Sequence, residues 1–342
     1  MAVTGASLLD NPPGWAVDYA FAPDATRAAR LDQAVRAGLA DSLQTIFESL
    51  EPPGRAGEQD RASLLDRIRA GPVPPALFGV YVELVLAIFA ERDQETEALL
   101  RDLLGPWPLS GDSPRLVTLD DRELGPGQSA RYRRLLADDI ACEIEPLDAD
   151  ALAAAAARLT QALELLRAGA PDLFGEFRAL VRQVVLVGQG AGPQGFVFGG
   201  ASTFSLWGAL VLNADALGGR LEAAIALVHE SAHSHLFGLA LGGRLTENEA
   251  AERYPSPLRR DPRPMEGVAH ATYVTARVAY ALRALIASGC LDERENARAG
   301  DQLARHRDAC EQGLATVSAH ARFTPAGAAA FGQLRRHLSD HG

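Results

Sequence analysis

The stretch RQVVLVGQGAGPQGFVFGGASTFSLWGALVLN (182–213) narrows the fold more than any other part of the chain. A glycine inside a helix costs about 1 kcal/mol relative to alanine, and here glycines recur among Val, Phe, Leu and Trp. No helix tolerates that mixture, whereas short strands separated by turns do. Two or three short strands are predicted, VVLVG, FVFGG and FSLWGALVLN, paired in a small antiparallel sheet. Nearly everything else carries apolar residues at three- and four-residue spacing, the signature of amphipathic helices. Helices are predicted over 24–50, 60–70, 75–104, 125–138, 147–169 and 171–183, and a second helix-rich block from Leu217 onward. DADALAAAAARLTQALELLRAGAPD opens on an aspartate cap and closes on Gly and Pro. Residues 1–24 are expected to be irregular and EPPGRAGEQD (51–60) to be a loop. There is no internal repeat. The expected fold is mainly α with a small antiparallel β-sheet. It is organised as an N-terminal helical region (1–150) and a second region (151–342), or as one domain.

Composition removes several function classes. The 342 residues are 47% hydrophobic and 23% charged, enough apolar material for a large core. A net charge of -11 argues against a nucleic-acid groove, which needs a basic surface. All 33 basic residues are arginine, so Schiff-base chemistry on lysine is excluded and any cation that binds an anion is Arg or His. Cys142, Cys290 and Cys310 are far apart and odd in number. That fits a reducing cytoplasm and no disulfide framework. MAVTGASLLDNPPGW lacks the basic start and apolar run of a signal peptide. The longest apolar run, LFGVYVELVLAIFA (77–90), is interrupted by Glu83 and is too short to span a bilayer. A cytoplasmic protein without membrane attachment is expected.

LVHESAHSHLFG (227–238) follows the predicted strands and contains His-Glu-x-x-His. Four residues of helix turn through about 400°, so His229 and His233 project from one face, one turn apart. Two imidazoles in that relation hold one metal ion. Glu230 is rotated about 100° from His229 and stands beside the ion without ligating it. His235 points to another face. The expected local architecture is a zincin-like HExxH helix preceded by short strands. The competing reading, two core histidines satisfied by hydrogen bonds, leaves the adjacent glutamate unexplained.

A third ligand is sought in YPSPLRRDPRPMEGVAHATYVTARVAY (254–280). Its prolines predict a rigid extended crossing, because each fixes φ and moves its predecessor away from helix. A helix then begins near Pro264. On it Glu266, His270, Tyr273 and Arg277 recur at four, three and four residues and share one face of an otherwise apolar helix. Spacing alone allows either Glu266 or His270 as the third ligand. Glu266 would complete a two-histidine, one-carboxylate set and His270 a three-histidine set.

LVHESAHSHL followed by YPSPLRRDPRPMEGVAHATYVTAR resembles the HExxH-motif proteins of peptide natural-product gene clusters. These are Fe(II)- and 2-oxoglutarate-dependent hydroxylases acting at β-carbons of ribosomally synthesised peptides. The resemblance covers about residues 205–280. Ser-Pro-x-Arg-x-Asp-Pro-Arg-Pro is far rarer than His-Glu-x-x-His. In the family a histidine follows glycine by three positions on the second helix, and His270 stands so after Gly267. The resemblance therefore implies His229, His233 and His270 as metal ligands, with Glu266 the alternative. It implies Fe(II) and 2-oxoglutarate as cofactors and a precursor peptide as partner in natural-product biosynthesis. A 2-oxoglutarate site also needs a cation for the distal carboxylate, ideally arginine. Arg277 is the first candidate, because it lies on the face of His270; Arg263 and Arg259 in the proline-rich loop follow. Glu230 and Tyr273 are the candidate catalytic residues. Two other functions compete, a zinc metallopeptidase with Glu230 as general base and a non-catalytic peptide-binding relic.

Overall fold

A computed structural model describes residues 16–50, 58–108, 111, 113–138, 140–192, 197–259 and 261–341. Most of the irregular start expected over 1–24, and residues 51–57 of the expected loop, lie outside the described residues. The helices are α1 (Ala25–Leu50), α2 (Glu58–Ala70), α3 (Pro75–Phe89), α4 (Asp93–Leu103), α5 (Asp121–Leu124), α6 (Gln128–Leu135), α7 (Ala149–Gly169), α8 (Pro171–Leu180), α9 (Arg220–Leu239), α10 (Met265–Ser288), α11 (Glu293–His320) and α12 (Pro325–His341). The strands are β1 (Arg115–Thr118), β2 (Ile144–Pro146), β3 (Gln183–Gln189), β4 (Gly200–Ala201) and β5 (Ala209–Asn213). The fold is mainly helical with one small sheet.

That sheet is mixed, not the antiparallel one the strand pattern predicts. Its order is β1-β3-β5-β4, with β2 also on β3. β1 runs parallel to the first half of β3, and β2 antiparallel to its end. β5 is parallel to β3, and only β4 is antiparallel to β5. The cause is burial on both faces. Val184, Leu186, Leu210 and Leu212 enter the main helical core, while Val185, Val187, Ala209 and Val211 pack with Tyr132, Leu136 and Ile144 in a second one. Strands covered on both faces read as continuous apolar runs, and this is where parallel pairing occurs. VVLV and ALVL are such runs. FVFGG contributes only Gly200–Ala201, and Phe204–Leu206 forms a 3-10 turn ahead of β5.

Two predicted helices are shorter than expected. The one over 75–104 breaks into α3 and α4 at Glu91, whose φ is 54°. The one over 125–138 begins at Gln128, after Gly125 and Gly127 with φ of 105° and 74°. α7 is capped as expected, with the Asp148 carboxylate accepting from the Ala151 N–H at 2.8 Å. The main core joins Leu39, Leu77 and Phe78 to Leu165, Leu227, Val274 and Leu282.

Short connections aim α9. β5 ends at Asn213, whose side-chain amide donates to the Phe198 carbonyl (2.8 Å) and whose side-chain oxygen accepts from the Asp215 N–H (3.1 Å). Gly218 then turns the chain at φ 47°, and the Glu222 carboxylate accepts from the Gly219 N–H at 3.1 Å to start the helix. The proline-rich segment is a closed loop rather than the extended crossing predicted. Tyr254 and Arg263 exchange both backbone hydrogen bonds, each 2.9 Å, so the loop returns to its own base. Among the described residues no helix is long and apolar enough to cross a membrane.

Candidate metal centre

α9 presents His229 and His233 toward α10, which presents His270 back. The ring centroids of His229 and His233 are 5.1 Å apart. Those of His233 and His270 are 5.4 Å apart, with the planes inclined by 19°. His233 Nδ1 and His270 Nδ1 approach to 3.2 Å. Two imidazole nitrogens on one ion, each bonded at 2.0–2.1 Å, lie about 3.3 Å apart in tetrahedral geometry. The pair thus has the separation of two ligands, and as it stands one nitrogen carries the proton that the other accepts. Among the described residues no three His, Cys, Asp or Glu side chains already converge on one point as ligands do. The histidines are gathered pairwise, His229 with His233 and His233 with His270.

Burial, then the nearby positive charges of His306 and Arg259, holds the His229 pKa down at about 4. Burial, then His229 and His270, depresses His233 well below the usual imidazole value. Both rings are therefore neutral at neutral pH, the form a metal needs. Imidazole nitrogens suit Fe(II) and Zn(II) alike, so the donor set fits either ion.

The carboxylates are held from outside. Glu230 is 5% exposed. One oxygen accepts from the Ser202 hydroxyl at 2.8 Å, and the other lies under Gly200, where an added Cβ would stand only 2.7 Å from it. A side chain at that position would press on this carboxylate and on Leu212. Glu266 accepts from the Leu245 N–H (2.9 Å), the Thr246 N–H (3.0 Å) and the Thr246 hydroxyl (2.8 Å), and stands 3.6 Å from His270 Nε2. Burial would raise the Glu266 carboxyl, but His270 and these donors outweigh it and hold it low. His270 thus turns Nδ1 to His233 and Nε2 to a carboxylate, the arrangement of a metal-ligating histidine with its orienting partner.

These groups line one cavity of about 440 Å³, together with Gly200, Ala201, Phe237, Ser256, Leu258, Arg259 and Arg263. No model of a known protein family matches this chain, and no curated protein matches it in sequence.

Two expected site residues are elsewhere. Arg277 does not line the cavity. It is 1% exposed, ion-paired with Glu176 of α8, bonded to the Phe21 carbonyl and stacked 5.5 Å over the Phe21 ring. Tyr273 is also buried, and its hydroxyl meets His235 Nδ1 at 3.0 Å. Both share the helix face of His270 but lie deeper along the axis, inside the core. Arg259 and Arg263 do line the cavity. Arg263 has Asp261 at 3.0 Å, whereas no carboxylate among the described residues pairs with Arg259. Sequence reasoning missed Gly200, Ser202, Phe237, Ser256 and Leu258. The one signal was Gly-Gly-Ala-Ser, a run without large side chains just ahead of the motif helix.

Glu266→Gln keeps the hydrogen-bonding shape and removes the charge facing His270. Metal affinity, measured by chelator competition, is expected to fall about 10–100-fold. A loss as large as that of His270→Ala would instead make Glu266 the ligand.

Proposed function

We propose that the protein is an Fe(II)- and 2-oxoglutarate-dependent hydroxylase that modifies a β-carbon of a ribosomally synthesised peptide. Its HExxH helix lies zincin-like beside a short edge strand. The observation that carries the reading is one cavity shared by three histidines and two arginines. A peptidase has no need of the arginines, whereas a dicarboxylate cosubstrate does. His229, His233 and His270 would hold the iron, which when bound supplies the oxidation of an unactivated C–H bond coupled to decarboxylation of 2-oxoglutarate. Arg259, whose charge reaches His229, holds the distal carboxylate, with Arg263 beside it. Glu230 orients the ligand turn through its hold on Ser202. β4 is the edge strand of the sheet and lines the cavity, so an extended peptide meets unpaired backbone there. The reading carries with it a peptide partner and a reducing cytoplasm that keeps iron ferrous.

The zinc-peptidase alternative draws on Glu230 lining the same cavity as His229. Against it, the Ser202 hydroxyl holds one oxygen of that carboxylate, and a water-activating base must face the ion.

The test is a titration of 2-oxoglutarate, followed by succinate release. Arg259→Ala is expected to raise the concentration required about tenfold or more, the cost of losing a charge-assisted contact. Glu230→Gln is expected to retain substantial succinate release. Near-complete loss of a zinc-dependent peptide cleavage in Glu230→Gln would favour the peptidase.

A further inference from the structure

The cavity has one exposed large apolar residue in its lining. Leu50, Phe89, Val197 and Leu258 are the large hydrophobic side chains left exposed among the described residues. One of the four lines this cavity, and a second precedes the strand beside it. Leu258, 43% exposed, lines the cavity from the closed loop, and Val197, 72% exposed, lies on the segment entering β4. An exposed apolar side chain lining a concave site beside an open strand edge points to a binding surface.

The opposite wall specifies how a ligand runs. Gly200 pairs with Leu212 and Ala201 with Val211, and the Asn213 N–H donates to the Gly199 carbonyl at 3.0 Å. Along an antiparallel strand successive residues turn their N–H and C=O alternately to the two sides. Gly199 and Ala201 face β5, so Gly200 and, by continuation, Ser202 face the open edge. An extended backbone laid there sends alternate side chains into the cavity. Phe237, Leu258 and Ala271 offer that side chain an apolar lining in the cavity that also holds the histidines and arginines.

We infer that the substrate is a peptide segment extended along β4 with an apolar side chain seated against Leu258, which makes Leu258 the residue that sets side-chain selectivity. The inference rests on the proposed peptide-modifying function and names the residue class it selects. The apolar side chain is the recognition element; the carbon oxidised is its own β-carbon or that of a neighbour.

The experiment is selection from displayed random seven-residue segments on the full-length protein loaded with Ni(II) as an inert stand-in. Leu, Ile, Val, Met or Phe is expected at one fixed position, enriched about tenfold or more over Asp and Lys, the discrimination an apolar pocket gives. Leu258→Asp is expected to lose that preference and Leu258→Phe to keep it. No enriched segment, enrichment without a fixed apolar position, or an unchanged preference in Leu258→Asp overturns the inference. Succinate release by the Fe(II)-loaded wild type separates the two failures. Succinate without apolar preference sinks the selectivity alone, and apolar preference without succinate sinks the hydroxylase reading alone.

Discussion

His233→Ala is expected to remove bound metal while leaving the helical fold intact. His233 is the middle member of the three, because both close ring approaches, to His229 at 5.1 Å and to His270 at 5.4 Å, pass through it. Without it the two remaining imidazoles come from different helices, with no shared neighbour to hold them together. The loss should exceed the 10–100-fold that follows removal of an orienting group. Metal per chain after anaerobic loading checks the first part, and far-ultraviolet circular dichroism the second. His229→Ala is expected to behave alike. Stoichiometric metal in the doubly substituted protein would contradict the assignment.

Arg277→Ala is expected to destabilise the protein by about 3–5 kcal/mol, the cost of leaving a buried ion-pair partner alone. The orphan would be Glu176, which is 3% exposed. The Phe21 carbonyl would lose its donor as well, so the segment ahead of α1 would lose its tie to α10. A Tm lower by on the order of 10 °C follows. Removing both charges with Arg277→Met and Glu176→Leu is expected to recover much of the loss, since a buried pair is replaceable by well-packed apolar groups. The 2-oxoglutarate requirement of the surviving protein should stay at the wild-type value. A raised requirement at unchanged Tm would return Arg277 to the cosubstrate site.

The contrast between Arg259 and Arg277 shows what sequence spacing carries. Periodicity gives the angle of a residue around a helix and nothing about depth along it. Glu266, His270, Tyr273 and Arg277 share one face, but eleven residues of helix span about 16 Å, more than one site occupies. The upper two reach the cavity; the lower two enter the core, where Tyr273 meets His235 and Arg277 meets Glu176. His229 and His233 were legible because one turn separates them and angle alone suffices. The proline-rich loop was legible as non-helical, but its closure depends on the pairing of Tyr254 with Arg263, which no local signal marks. β1 and β2 were not foreseen, because strands of four and three residues among charged neighbours have too little periodicity to register. Ser202 and Gly200 became visible only when the fold brought β4 onto α9, since their role depends on Glu230, far along the chain.

The central claim is that this cavity runs an iron- and 2-oxoglutarate-dependent oxidation. The most direct measurement is succinate formed by the anaerobically Fe(II)-loaded wild-type protein after addition of 2-oxoglutarate and oxygen, compared with His233→Ala. The expected result is succinate from the wild type above the rate of free iron, and none above that rate from His233→Ala. No succinate with iron, together with Glu230-dependent peptide cleavage with zinc, would contradict it.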